Sequence, residues 1–71
     1  MKNRLAELRA LQGWTQQDIA DRVEVSRQTI ISLESGRYNP SITLAFRLAR
    51  LFNEPIENIF LYDEELDHET K

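Results

Sequence analysis

Arg27 and Gln28 stand side by side just after Ser26, and Ile31 and Ser32 follow one helical turn later. An arginine guanidinium can donate two hydrogen bonds to guanine O6 and N7, a glutamine amide can pair bidentately with adenine, and an isoleucine can meet a thymine methyl. Thr29, between them, could reach a base or a phosphate. Gln16 and Gln17 fall where a helix would begin, with backbone N–H groups free to hold a phosphate. Arg37, Tyr38 and Asn39 form a second polar group after the next helix. Contacts of that kind position a protein on a duplex without encoding sequence. Taken singly, each of these residues has a plainer reading as a solvated side chain, and Ile31 could be a stray exposed apolar group. Their joint placement points to the major groove of double-stranded DNA.

Nothing comparable points to catalysis. The chain has no cysteine and a single histidine, His68, near its end, which excludes disulfides and thiolate zinc sites. It also lacks a glycine-rich phosphate loop and a nucleophile with a base beside it. No enzyme activity, cofactor, metal or small-molecule ligand is expected. Asp63, Glu64, Glu65, Asp67, His68 and Glu69 could be imagined as a cation site, but without a glycine-containing loop they read instead as an acidic tail.

The elements that must position the reading residues are short helices with clear start signals. Asn3 is placed to cap a first helix from about Arg4 to Gln12, with Leu5, Leu8 and Leu11 as its stripe and Gly13 as its stop. Thr15 caps Gln16 to about Val23, and Trp14 and Ile19 stand where a hydrophobic staple forms. Ser26 caps Arg27 to about Ser35 with Val25 and Ile30 repeating the device, and Gly36 ends it. Ser41 caps a fourth, strongly apolar helix through Ile42, Leu44, Ala45, Leu48, Ala49, Leu51 and Phe52, expected to be the most buried. Pro55 opens a short fifth helix from Ile56 to about Phe60, which places Ile56, Ile59 and Phe60 against the bundle. The second and third helices are joined only by Glu24-Val25-Ser26, so they must cross steeply, with Ala20 at the contact against Ile30 and Leu33. The fold class is therefore all-α, with five helices.

At 71 residues the chain has room for one small domain. No apolar run approaches the roughly 18 residues of a membrane span, and no secretory signal pattern opens it, so a cytoplasmic location is expected. The formal net charge of −3 hides an asymmetry: residues 1–50 carry eight Lys and Arg against five acids, net +3, and residues 51–71 one Lys against seven acids, net −6. A basic body could attract phosphates while the acidic end repels them. The division expected is a DNA-binding unit over residues 1–62 and an acidic tail over 63–71.

The run WTQQDIADRVEVSRQTIISLESGRYNPS, residues 14–41, followed by LAFRLARLFNEPIENIF, residues 44–60, resembles the Cro/C1-type (XRE-family) helix-turn-helix regulators. The Thr-Gln start, buried Ala, VSRQTI segment, Leu-Glu-Ser-Gly end and Asn-Pro-Ser run occur together at the family's spacing. The resemblance implies a lambda-repressor-like domain and is strongest to the short, stand-alone dimeric repressors of the family. It further implies a homodimer on a palindromic operator, a structural ion pair between Arg9 and Glu34 rather than a DNA contact by Arg9, and a short C-terminal β-strand near the dimer contact. Ile59, Phe60, Leu61 and Tyr62 are β-favourable and have no later element in their own chain to cover them, so the four are assigned to the dimer interface, with Leu61 and Tyr62 extending into that strand beside the chain start; the alternative is a fifth helix that frays into a disordered tail. Glu24 departs from the family's turn glycine, which suggests a slightly altered turn. Two rival readings remain: an antitoxin that holds its toxin through the tail, and an interaction adaptor that has lost DNA binding.

Overall fold

Three hydroxyl side chains start the three middle helices by replacing the carbonyl partners that a first turn lacks. Thr15 Oγ1 accepts from the Asp18 N–H at 3.0 Å, Ser26 Oγ from the Thr29 N–H at 3.2 Å and Ser41 Oγ from the Leu44 N–H at 3.1 Å. In the computed structural model, which describes residues 1–61, the elements are α1 (Leu5–Gln12), α2 (Gln16–Val23), α3 (Arg27–Glu34), α4 (Ile42–Phe52) and α5 (Ile56–Ile59). Tyr62 and the acidic residues 63–71 lie outside the described residues.

The first helix starts one residue later than expected, at Leu5, because Asn3 does two other things. Its Oδ1 accepts from the Leu5 N–H at 3.1 Å, and its Nδ2 donates to the Leu33 carbonyl at 2.7 Å, so it ties the chain start to the end of α3. The flanking backbone pairs with the far end of the described chain: Arg4 N–H donates to the Ile59 carbonyl and Leu61 N–H to the Lys2 carbonyl, both at 2.8 Å. Asn3 and Phe60 form an isolated antiparallel bridge between these bonds. Among the described residues this is one bridge and not a sheet.

Each long helix sends its apolar stripe into one core: Leu5 and Leu8, Ile19 and Val23, Ile30 and Leu33, Leu44 and Leu48, closed by Phe52. Ala20 is fully buried on α2, the helix that packs most extensively on α3, and its small side chain lets the two approach closely. The expectation of a uniformly buried α4 is corrected. Ile42 is 74% and Phe46 55% exposed, because their directions on the helix lie well off the arc of Leu44, Ala45, Leu48 and Phe52.

The expectation of an altered turn is corrected as well. Glu24 itself takes the left-handed conformation, φ 63° and ψ 45°, and its N–H donates to the Ala20 carbonyl. Arg47 of α4 supports the turn from outside, donating to the Val23 carbonyl at 3.1 Å and lying 3.7 Å from Glu24 Oε1. A side chain with a Cβ costs roughly 1 kcal/mol there, whereas a widely exposed ion pair contributes little. Glu24→Gly is therefore expected to raise the thermal midpoint by about 4 °C, measured by circular dichroism; a fall would show that Arg47 outweighs the backbone strain.

The start of α2 carries a reciprocal cap, with Thr15 N–H donating to Asp18 Oδ2 at 2.9 Å. Hydrogen bonds from the Thr15 backbone and hydroxyl hold the Asp18 carboxyl below its ordinary range. A carboxyl depressed by folding adds stability above the ordinary aspartate value of 3.8 and loses it as pH falls through the lowered folded value. Asp18→Asn should be the less stable protein at pH 7, and the gap should close in urea melts below pH 3.8.

Candidate nucleic-acid interface

The face of α3 away from the core is set by its buried residues. Ile30 and Leu33 point inward, which leaves Arg27 and Gln28 exposed and Ile31 and Ser32 half-buried on the opposite side. Thr29 is half-buried, and its hydroxyl lies 3.0 Å from Ser26 Oγ. The chain then leaves α3 through Gly36, whose φ of 80° suits a residue without a Cβ. This turn brings Arg37 and Tyr38 back beside the helix. Ser26, Gln28, Thr29, Ser32, Arg37 and Tyr38 together line a shallow open groove of about 240 Å³.

The electrostatics favour an anionic occupant. Arg4, Arg9 and Arg47 each lie beside a glutamate, and Arg22 covers the Trp14 ring at 4.4 Å. Among the described residues, Arg27 and Arg37 form no ion pair. Arg37 lines the groove and Arg27 is exposed at the first position of α3, both with donors uncommitted, the state in which arginine can grip a base edge or a phosphate.

The start of α2 is arranged differently from its sequence reading. Gln16 is half-buried, and its Nε2 donates to Glu34 Oε1 at 3.0 Å, so one of its amide hydrogens is used inside the protein. Gln17 is exposed, with its Nε2 donating to Asp21 at 2.8 Å one turn along. Glu34 also accepts from Arg9, at 2.7 Å from Nε and 3.3 Å from Nη2, and Arg9 Nη1 donates to the Trp14 carbonyl at 3.0 Å. This network joins α1, α3 and the start of α2. Asn39 is exposed but lines a separate hollow with Pro40 rather than the groove on α3.

Residues 5–59 match the family described as helix-turn-helix. The chain belongs to the Cro/C1-type helix-turn-helix regulators. Membership makes it a DNA-binding protein of transcription control and not an enzyme. It is 52% identical over 65 residues to an uncharacterised HTH-type transcriptional regulator of Archaeoglobus fulgidus, covering 92% of each chain. A counterpart in Methanocaldococcus jannaschii is 51% identical over 65 residues, covering 92% of this chain and 98% of its own. The competence pilus inhibition repressor of Acinetobacter baylyi is 42% identical over 62 residues, covering 87% of this chain and 56% of its own. No described helix is long and apolar enough to cross a membrane.

Within this helix-turn-helix regulator, Ile59 and Phe60 pack against the bundle as the fifth helix of the sequence reading placed them, which leaves little of either for a contact between subunits. Ile59 is 0% and Phe60 4% exposed, covered by their own chain because α5 folds back onto α4 and the residues around Asn3. They are core and not free surface. Leu61 is half-buried and Tyr62 is outside the described residues. Arg47 is the supporting residue that sequence reasoning missed. Its i, i+3 and i+4 neighbours say nothing about α2, and only the crossing of α4 with α2 brings it to the Val23 carbonyl.

Glu34 has only 8% and Arg9 22% of its side chain exposed. Arg9→Met strands a carboxylate in a largely dry setting, at a cost of about 3 kcal/mol in urea unfolding. Adding Glu34→Met removes the stranded charge and should recover at least half of the loss. A double variant no more stable than the single would assign the loss to packing.

Proposed function

We propose that the protein is a repressor that binds as a homodimer to a two-fold symmetric operator, with α3 of each subunit in the major groove. The observation that carries this reading is the shared groove in which Gln28 and Ser32 of α3 meet Arg37 and Tyr38 of the following loop, on the helix whose first residue is the exposed, unpaired Arg27. Base-reading and phosphate-holding side chains then address one duplex together. In this reading Arg27 takes a guanine, Gln28 an adenine, Ile31 a thymine methyl, and Ser32 a neighbouring edge. Gln17, Thr29, Arg37 and Tyr38 hold the backbone, and Gln16 contributes its main-chain N–H and its second amide hydrogen.

The size of the molecule supports a dimer. With extents of 38 × 23 × 22 Å, one copy covers about one half-site, and such half-sites recur roughly every 34 Å. The likeness to a named repressor supports occlusion of a promoter as the mode of action. Residues 1–62 form the DNA-binding unit, residues 63–71 an acidic tail, and the protein works in the cytoplasm, where its operator is.

Selection of bound DNA from a random pool should return a palindrome with half-sites about one helical turn apart. Arg27→Ala should lose about 1–3 kcal/mol at one base position and relax preference there. Arg37→Ala should weaken all sequences alike and lower the salt dependence of binding. Binding indifferent to both substitutions would remove the assignment.

A further inference from the structure

The dimer reading leaves open which surface joins the subunits: Ile59 is fully covered by its own chain, and Phe60 shows only the edge that lines an open hollow. We propose that the second copy docks on the N-terminal outer face of α4, formed by Ile42 and Phe46, and on the hollow beside it. This proposal rests on the dimer reading and assigns its contact surface.

Ile42 and Phe46 are one turn apart on one face of α4, and they are 74% and 55% exposed. Next to them lies an open hollow of about 320 Å³, lined by Pro40, Ala45, Ile56 and Phe60 together with Met1, Asn39 and Glu57. A two-fold contact must use the same patch on both subunits, so that patch must fit itself. A projecting apolar ridge beside an apolar hollow satisfies this requirement: the ridge of each copy can enter the hollow of the other.

The charged groups at the patch favour a second copy over an unrelated chain. Arg50 follows Phe46 by one turn on the flank of α4 away from the hollow, and Glu57 lines the hollow itself. Among the described residues neither forms an ion pair. When the ridge of one copy enters the hollow of another, Arg50 can meet Glu57 of the partner subunit, and the symmetry makes the pair twice.

Position relative to α3 agrees. Arg37 and Tyr38 line the groove on α3, and Asn39 and Pro40, the next two residues, line the hollow. A copy seated there stands directly beside the reading face. A two-fold axis that passes through the patch and runs toward the α3 face sets both reading helices on the same side, as one duplex demands.

Sedimentation equilibrium of the full chain tests the assignment. Phe46→Asp and Ile42→Asp are each expected to raise the dimer dissociation constant by about 30-fold or more, the loss typical of a central contact residue. Their helical circular dichroism at room temperature should stay unchanged, because both side chains lie outside the core, and their melting should lose the dependence on protein concentration that a dimer shows. Leu11→Asp, at a 75% exposed apolar site on α1, should leave the dimer intact. Arg50→Glu or Glu57→Arg should each weaken association, and the two together should restore it. A dimer that survives Phe46→Asp, or that Leu11→Asp dissociates, overturns the surface while leaving the dimer reading in place. A wild-type chain that stays monomeric and selects a single half-site overturns the dimer reading itself.

Discussion

The bidentate pair between Arg9 and Glu34 is the constraint on which the DNA-facing geometry depends. Glu34 is the last residue of α3, Arg9 belongs to α1, and the same carboxylate accepts from Gln16 at the first position of α2. One nearly dry carboxylate thus sets the far end of α3 against the helix start that offers backbone N–H groups to a phosphate. A hydrophobic contact would hold these elements together but would let them slide. A planar guanidinium against a planar carboxylate fixes both distance and angle. The hydrogen bond from Arg9 to the Trp14 carbonyl adds the connection between α1 and α2 to the same fixture.

The other end of α3 is held by backbone conformation. Only Glu24, Val25 and Ser26 separate α2 from α3, and the chain reverses direction there through a left-handed Glu24. Ala20 on one side and Ile30 and Leu33 on the other are fully buried, so the crossing is closely packed. Arg47 places a cation at the C-terminal end of α2, where the carbonyls carry partial negative charge, and beside the Glu24 carboxylate. The strained residue and its cationic neighbour belong to one local arrangement, and α4 enters the helix-turn-helix through it.

α4 consequently has three distinct sides. One enters the core, one supports the turn through Arg47, and one leaves Ile42 and Phe46 at the surface. A helix this apolar on more than its core arc is a recognisable sequence pattern, since positions 42 and 46 do not share the stripe of 44, 48 and 52. Reading its total apolarity as depth of burial conceals that distinction, because hydrophobicity measures how much surface prefers to leave water and not which neighbour covers it.

The sequence alone determined the helices, their order and their caps, because those follow from interactions within four residues: Thr15, Ser26 and Ser41 bond to N–H groups three positions away, and Gly36 relieves its own backbone. It also determined the outward side of α3, since burying Ile30 and Leu33 leaves Arg27 and Gln28 no other direction. Tertiary structure decided whatever depends on partners distant in the chain. The use of Gln16 by Glu34, the return of α5 that covers Ile59 and Phe60, the attachment of Asn3 to Leu33 and the reach of Arg47 to Val23 all arise from groups 18 to 57 positions apart. No local periodicity records such meetings, because they are set by how the helices cross and not by what each helix is.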